Sequence, residues 1–171
     1  MSMTLIEHIE VDGTAPSSIT FSSIPQTYTD LYLVSSVRST TSNLTFEINP
    51  NGSTTNKTRI VLQGSGSSVV SGTSLSLDAL SNSSAFTANT FASSSIYIPN
   101  YTGSSNKSFS FESVTETNGN PSYQRIMSGL WSDTTAISSL QCAASAGNLA
   151  QYSSFTLYGI TAGSDGTTTV S

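Results

Sequence analysis

Ser154-Phe155-Thr156-Leu157-Tyr158-Gly159-Ile160 is a run in which residues of opposite character alternate, with Phe155 and Leu157 on one side and Thr156 and Tyr158 on the other. Period-two alternation built from aromatic, β-branched and hydroxyl side chains is the pattern of a half-buried β-strand. Upstream, Leu130-Trp131-Ser132-Asp133-Thr134-Thr135-Ala136-Ile137 places the chain's one tryptophan at the end of another such run. Together they read as closing strands tucked back into a sandwich, with Trp131 in its core.

The same pattern recurs outward from this tail. Leu5 to Val11 is strand-like. Ile19 and Phe21 alternate with Ser18, Thr20 and Ser22, and Leu31, Leu33 and Val37 share a face opposite Tyr32, Val34 and Arg38. Leu44, Phe46 and Ile48 alternate until Asn49-Pro50-Asn51-Gly52, where Pro fixes φ and Asn-Gly accepts positive φ, so a turn is expected. Ile60 and Leu62 form a further run, Leu75 and Leu77 a weaker one, and Gly64-Ser65-Gly66-Ser67-Ser68 between them reads as a flexible loop. Ala79 to Ala92 has room for a short helix, and its Ser and Asn content opposes a long one. Ile96 and Ile98, Phe109 and Phe111, Tyr123 to Trp131 and Ala136 to Cys142 complete the series. Ile137 and Leu140 fall out of phase, which suggests a bulge. The fold class expected is all-β: an antiparallel jelly-roll-like sandwich of about 9–10 strands in a single domain over residues 1–160. Residues 161–171, with no apolar anchor but Val170, read as a C-terminal tail that a neighbouring subunit would hold if it is ordered.

Composition narrows function. Only 9% of the 171 residues are charged, against about 25% in an average domain. Hydroxyls replace the missing charge, with 37 Ser and 24 Thr. A formal net charge of −5 is too small to hold the chain open by self-repulsion, so a sheet with a neutral, hydroxylated surface is expected rather than disorder. Five Lys and Arg against ten Asp and Glu leave no basic stripe, which excludes nucleic acid and anionic membranes as expected partners. No apolar run reaches the ~20 residues that span a bilayer. Met1-Ser2-Met3-Thr4-Leu5-Ile6-Glu7-His8 lacks the basic and apolar blocks of a secretory signal, which points to synthesis in a cytoplasm.

Chemistry is hard to find. His8 shares a strand face with Glu10 and reads as solvated; pairing it with any of the many serines as a triad is an artefact of composition. Cys142, the one cysteine, sits in Leu140-Gln141-Cys142-Ala143-Ala144 without a cationic neighbour and reads as a small core residue. One Cys and one His exclude a four-ligand zinc site. Calcium would need loop oxygens, yet no Asp-x-Asp-x-Asp-Gly loop exists and Asp165-Gly166 is a turn. Glu112 and Glu116 fall on one strand face about 13 Å apart, too far for a glycosidase pair. Asn-x-Ser/Thr matches begin at Asn43, Asn51, Asn56, Asn82, Asn100 and Asn106, and without a secretory signal they carry no meaning. Gly64-Ser65-Gly66 is followed by neither a Lys nor a helix start, so it cradles no phosphate. Catalytic, cofactor and metal residues are therefore expected to be none. Tyr28, Tyr32, Tyr97, Tyr101, Tyr123, Tyr152 and Tyr158 are expected to divide between core, subunit interface and glycan contact.

Five stretches in order carry a resemblance: Ser17 to Leu31 with its Pro25 turn and Tyr28-Thr29-Asp30-Leu31 strand entry, Arg59-Ile60-Val61-Leu62-Gln63-Gly64, Ile96-Tyr97-Ile98-Pro99-Asn100-Tyr101, and the Trp131 and Tyr158 segments. They resemble a jelly-roll domain of tailed-bacteriophage virion structural proteins, over roughly residues 4 to 160. The resemblance implies a non-enzymatic virion protein acting as a homotrimer or larger symmetric assembly. Its first implied role is a capsid decoration (cement) protein that binds the major capsid protein or another virion protein and reinforces the shell. The alternative is a tail or fibre module reading host glycan.

Overall fold

A computed structural model of the chain describes residues 2–118 and 122–162. The Asp165-Gly166 turn and nearly all of the expected tail lie outside them. Twelve strands form: β1 (Ser2–Glu10), β2 (Ser18–Phe21), β3 (Asp30–Val37), β4 (Thr45–Pro50), β5 (Lys57–Gly64), β6 (Val69–Ser74), β7 (Asp78–Leu80), β8 (Ala92–Ile98), β9 (Lys107–Thr115), β10 (Tyr123–Trp131), β11 (Leu140–Ala144) and β12 (Ser154–Thr161). Every ladder between them is antiparallel.

The strand order identifies the topology. One sheet runs β1-β12-β3-β8-β9-β10-β5-β6 and the other β2-β11-β4-β7. Setting aside β5, β6, β9 and β10, the ribbon pairs are β1 with β12, β2 with β11, β3 with β8 and β4 with β7. That ribbon is rolled so that β12 meets β3 and β11 meets β4. This is the eight-strand jelly roll. The two inserted hairpins, β5–β6 and β9–β10, are added to one edge and give the large sheet a four-strand wing.

Alternation places the core as the sequence pattern requires. Leu31, Leu33 and Val37 on β3 and Phe155 and Leu157 on β12 are fully buried, facing Phe21, Phe46 and Ile48 of the small sheet. Phe46 meets Phe155 edge-on across the sheets, with centroids 5.5 Å apart. Gly159 lies flush beneath Tyr28, where a Cβ would come within 2.2 Å of the ring. Trp131 is buried as expected.

Four expectations change. The strands number twelve rather than nine or ten, because Val69–Ser74 and Asp78–Leu80 are each a strand, while Leu75 falls in the link between them. The serine-rich loop is a tight hairpin: Ser65 N–H bonds Ser68 O at 2.9 Å, with Gly66 at φ +82°, as a type II′ turn requires at its first central residue. No helix forms in Ala79–Ala92. Instead the Arg38 guanidinium donates to the carbonyls of Ser84, Phe86, Thr87 and Thr90 and moulds that stretch into an irregular loop. Ile137 lies in the connection before β11, its N–H bonded to Tyr101 O at 2.9 Å, so a loop rather than a bulge explains its phase. The register shift is in β1, between Leu5 and Glu7.

At the expected turn, Asn51 and Gly52 take positive φ. Asn51 also accepts from Ser138 N at 2.9 Å and donates to Ala136 O at 2.9 Å, pinning the loop before β11.

Candidate functional site

Within the wing, β5 reverses the usual burial pattern. On β5 the side chains turned toward the small sheet are Lys57, Arg59, Val61 and Gln63, while Ile60 and Leu62 point out and are 62% and 52% exposed. The small sheet is four strands wide and cannot cover eight, so the apolar core ends beneath β9 and β10. Past that line charge replaces it. Asp78 on β7 accepts from Arg59 at 2.7 Å and Arg125 at 3.0 Å, and Glu47 on β4 sits 3.4 Å from Lys57. Burial pulls the Arg125 guanidinium below its ordinary value, with Asp78 opposing.

Lys57 is almost wholly buried. Its Nζ donates to Asn49 Oδ1 at 2.5 Å, and Asn49 Nδ2 donates to Gln141 Oε1 at 3.0 Å. Lys107 is likewise enclosed, donating to the carbonyls of Gly103 and Ser105 at 2.6 and 2.5 Å. Desolvation lowers the Lys107 value, against an attraction from Asp133. With Arg38 bonded along its loop, all five Lys and Arg side chains are held by other groups of the chain, and each is buried or half-buried. The protein's outside offers carboxylates, hydroxyls and apolar groups.

Those groups are ordered on the outer face of the large sheet. One rung runs Leu5–Tyr158–Tyr32–Tyr97 and on through Ser110 and Ser128 to Ile60; the next runs His8–Thr156–Val34–Ser95–Glu112–Ile126–Leu62. Two shallow grooves result. One of about 570 Å³ lies on the wing, lined by Ile60, Leu75, Leu130, Thr58, Thr73 and Ser128. Another of about 380 Å³ lies mid-sheet, lined by Tyr32, Val34, Ser95, Glu112, Gln124 and Ile126.

The residues weighed for chemistry stay apart. His8 is exposed, its Nδ1 2.8 Å from Thr156 Oγ1. Cys142 is buried between Ile19 and Ile48, and burial pushes its thiol far above the ordinary value. Glu112 stands on the outer face of β9, whereas Glu116 lies past the strand end and accepts from the Thr117 and Asn118 N–H groups at 2.8 and 2.9 Å. Asn82 is fully buried. Among the described residues, no three of His, Cys, Asp and Glu gather where they could hold a metal ion. Of the tyrosines, Tyr101 is core with its hydroxyl on Pro25 O, while Tyr32, Tyr97 and Tyr158 form the outer row.

Sequence reasoning missed the two polar clusters beneath the wing. The available signal was Lys57-x-Arg59, two of only five cations on one face of one strand. Compared with known protein families, curated proteins and solved structures, the chain matches none.

Proposed function

We propose that this is a structural, non-enzymatic protein of a tailed-phage virion. Its first role is a decoration protein that self-associates through the outer face of its wing and seats on the capsid shell. The phage setting rests on the sequence resemblance. The observation supporting an assembly role is the inverted β5, which turns Ile60 and Leu62 outward beside Ile126. Each such side chain contributes roughly 1.5–3 kcal/mol when fully buried.

The wing's edge supports the same reading. Exposed sheet edges are normally protected by charge, Pro or a bulge. β1, at one end of the large sheet, has a bulge and carries Glu7, His8 and Glu10. β6, at the other end, is Val69-Val70-Ser71-Gly72-Thr73-Ser74, uncharged, unbroken in register and exposed on both faces. A surface without exposed cations also suits close packing against copies and capsid protein rather than nucleic acid.

Sedimentation velocity of the full chain tests the contact. Self-association is expected in the wild type and its loss in Leu62→Asp/Ile126→Asp, with an unchanged melting temperature. A wild type that stays monomeric at every concentration would remove the wing contact.

The mid-sheet groove favours a second reading, a tail or fibre module binding host glycan. Tyr32 beside Glu112, Gln124 and Ser95 offers one aromatic platform with hydrogen-bonding groups. Glycan-array binding that Tyr32→Ala abolishes would favour it; an array with no signal would leave the decoration role.

A further inference from the structure

We propose that Lys57 and Asn49 condense into an intramolecular isopeptide bond, with Glu47 shuttling the protons. The three residues come from facing parts of the fold, Asn49 and Glu47 from β4 in the small sheet and Lys57 from β5 in the wing. Lys57 and Asn49 are 2% and 3% exposed, so the amine and the amide meet out of water. Nζ is 2.5 Å from Oδ1. A C=O bond is ~1.23 Å long, so the amide carbon lies within roughly 3.7 Å of the nitrogen, close to attack distance.

A lysine ammonium cannot attack. Glu47 Oε2, 3.4 Å from Nζ, is placed to take the proton. The nitrogen lone pair then forms the Nζ–Cγ bond and the carbonyl electrons move onto Oδ1. Glu47 hands its proton to Nδ2, the Cγ–Nδ2 bond breaks as the carbonyl re-forms, and ammonia leaves. The second proton on Nζ passes through Glu47 to the departing ammonia, which exits as ammonium and returns the carboxylate. No oxidant, metal or cofactor enters the balance. Gln141 Oε1, already accepting from Nδ2 at 3.0 Å, orients the leaving group.

The fold explains the placement. Ile48 N–H bonds Leu77 O at 2.7 Å and the β4–β7 ladder ends at Glu47, so past that point β4 is open on its wing side. Lys57 is the first residue of β5 and enters this gap from the wing. The bond would join the two sheets covalently where the apolar core gives way to charge.

Intact-mass spectrometry of the purified full-length chain is the test. The expected wild-type mass is that of the sequence less one ammonia. Trypsin should fail to cut after Lys57, yielding a Ser39–Arg59 peptide with no backbone fragments between Asn49 and Lys57. Asn49→Ala and Glu47→Gln should restore the full mass, and Asn49→Ala should restore cleavage at Lys57. A wild type at full mass overturns the proposal. So does an ammonia loss that survives Asn49→Ala or leaves Lys57 cleavable, since a succinimide at Asn51-Gly52 sheds ammonia without blocking the lysine.

Discussion

Replacing Asp78 by Ala removes the one carboxylate shared by Arg59 and Arg125 and strands two guanidiniums beneath the wing. Breaking a buried charge pair from one side costs about 3–5 kcal/mol. The lower end applies, because the Arg59 and Arg125 side chains keep 15% and 12% of their surface in water. Arg125 also keeps Gln63 Oε1 at 2.7 Å, and Arg59 keeps Ser76 Oγ at 3.4 Å. A loss of about 3 kcal/mol lowers Tm by roughly 6–12 °C in a domain of this size. Thermal and urea unfolding by circular dichroism measure it, with Arg59→Met/Asp78→Leu/Arg125→Met as the control. That triple variant removes every charge together and is expected near wild-type stability, within about 1–2 kcal/mol, because apolar replacement of a whole buried ionic cluster is often neutral or better. A cost below about 1 kcal/mol for Asp78→Ala, the range of surface ion pairs, would refute the claim that charge docks the wing.

Three further outcomes follow from the packing and the caps. Trp131→Ala should cost about 3–5 kcal/mol in urea unfolding; an unchanged midpoint would remove it from the core. Gly159→Ala drives a methyl into the Tyr28 ring and should cost about 1–3 kcal/mol, with Tyr28→Ala/Gly159→Ala recovering part of the loss by the same assay. Acid should destabilise the fold. The Glu116 carboxylate is lowered by the Thr117 and Asn118 N–H groups, Asp12 by the Thr14 hydroxyl and N–H, and Asp133 by the Thr135 N–H. Groups lowered on folding stabilise above their unfolded values, here 4.5 for Glu116 and 3.8 for the aspartates, and that stability fades as pH falls through the folded values. Thermal melts across this range should decline in acid; a rising Tm would contradict the assignment.

The jelly-roll core was legible because its strands obey a single rule: apolar in, polar out. Leu31-x-Leu33, Phe46-x-Ile48 and Phe155-x-Leu157 all point where alternation sends them. The wing was not legible, because β5 breaks that rule. Ile60 and Leu62 read from sequence like any other buried pair, and only the fold shows that they lie on the outer face of the large sheet, turned away from the small one. Residues 81–91 were equally opaque, since their shape comes from Arg38, more than forty positions upstream. The Lys57–Asn49–Glu47 cluster needs two sheets to meet, which spacing along one strand cannot reveal.

The proposed virion role is tested most directly by looking for this chain in purified tailed-phage particles and counting its copies, by quantitative mass spectrometry against the major capsid protein. Copies in fixed proportion to the capsid lattice are expected. A number matching only the tail or a single vertex would move it to the fibre reading, and absence from the particle would contradict a virion role altogether.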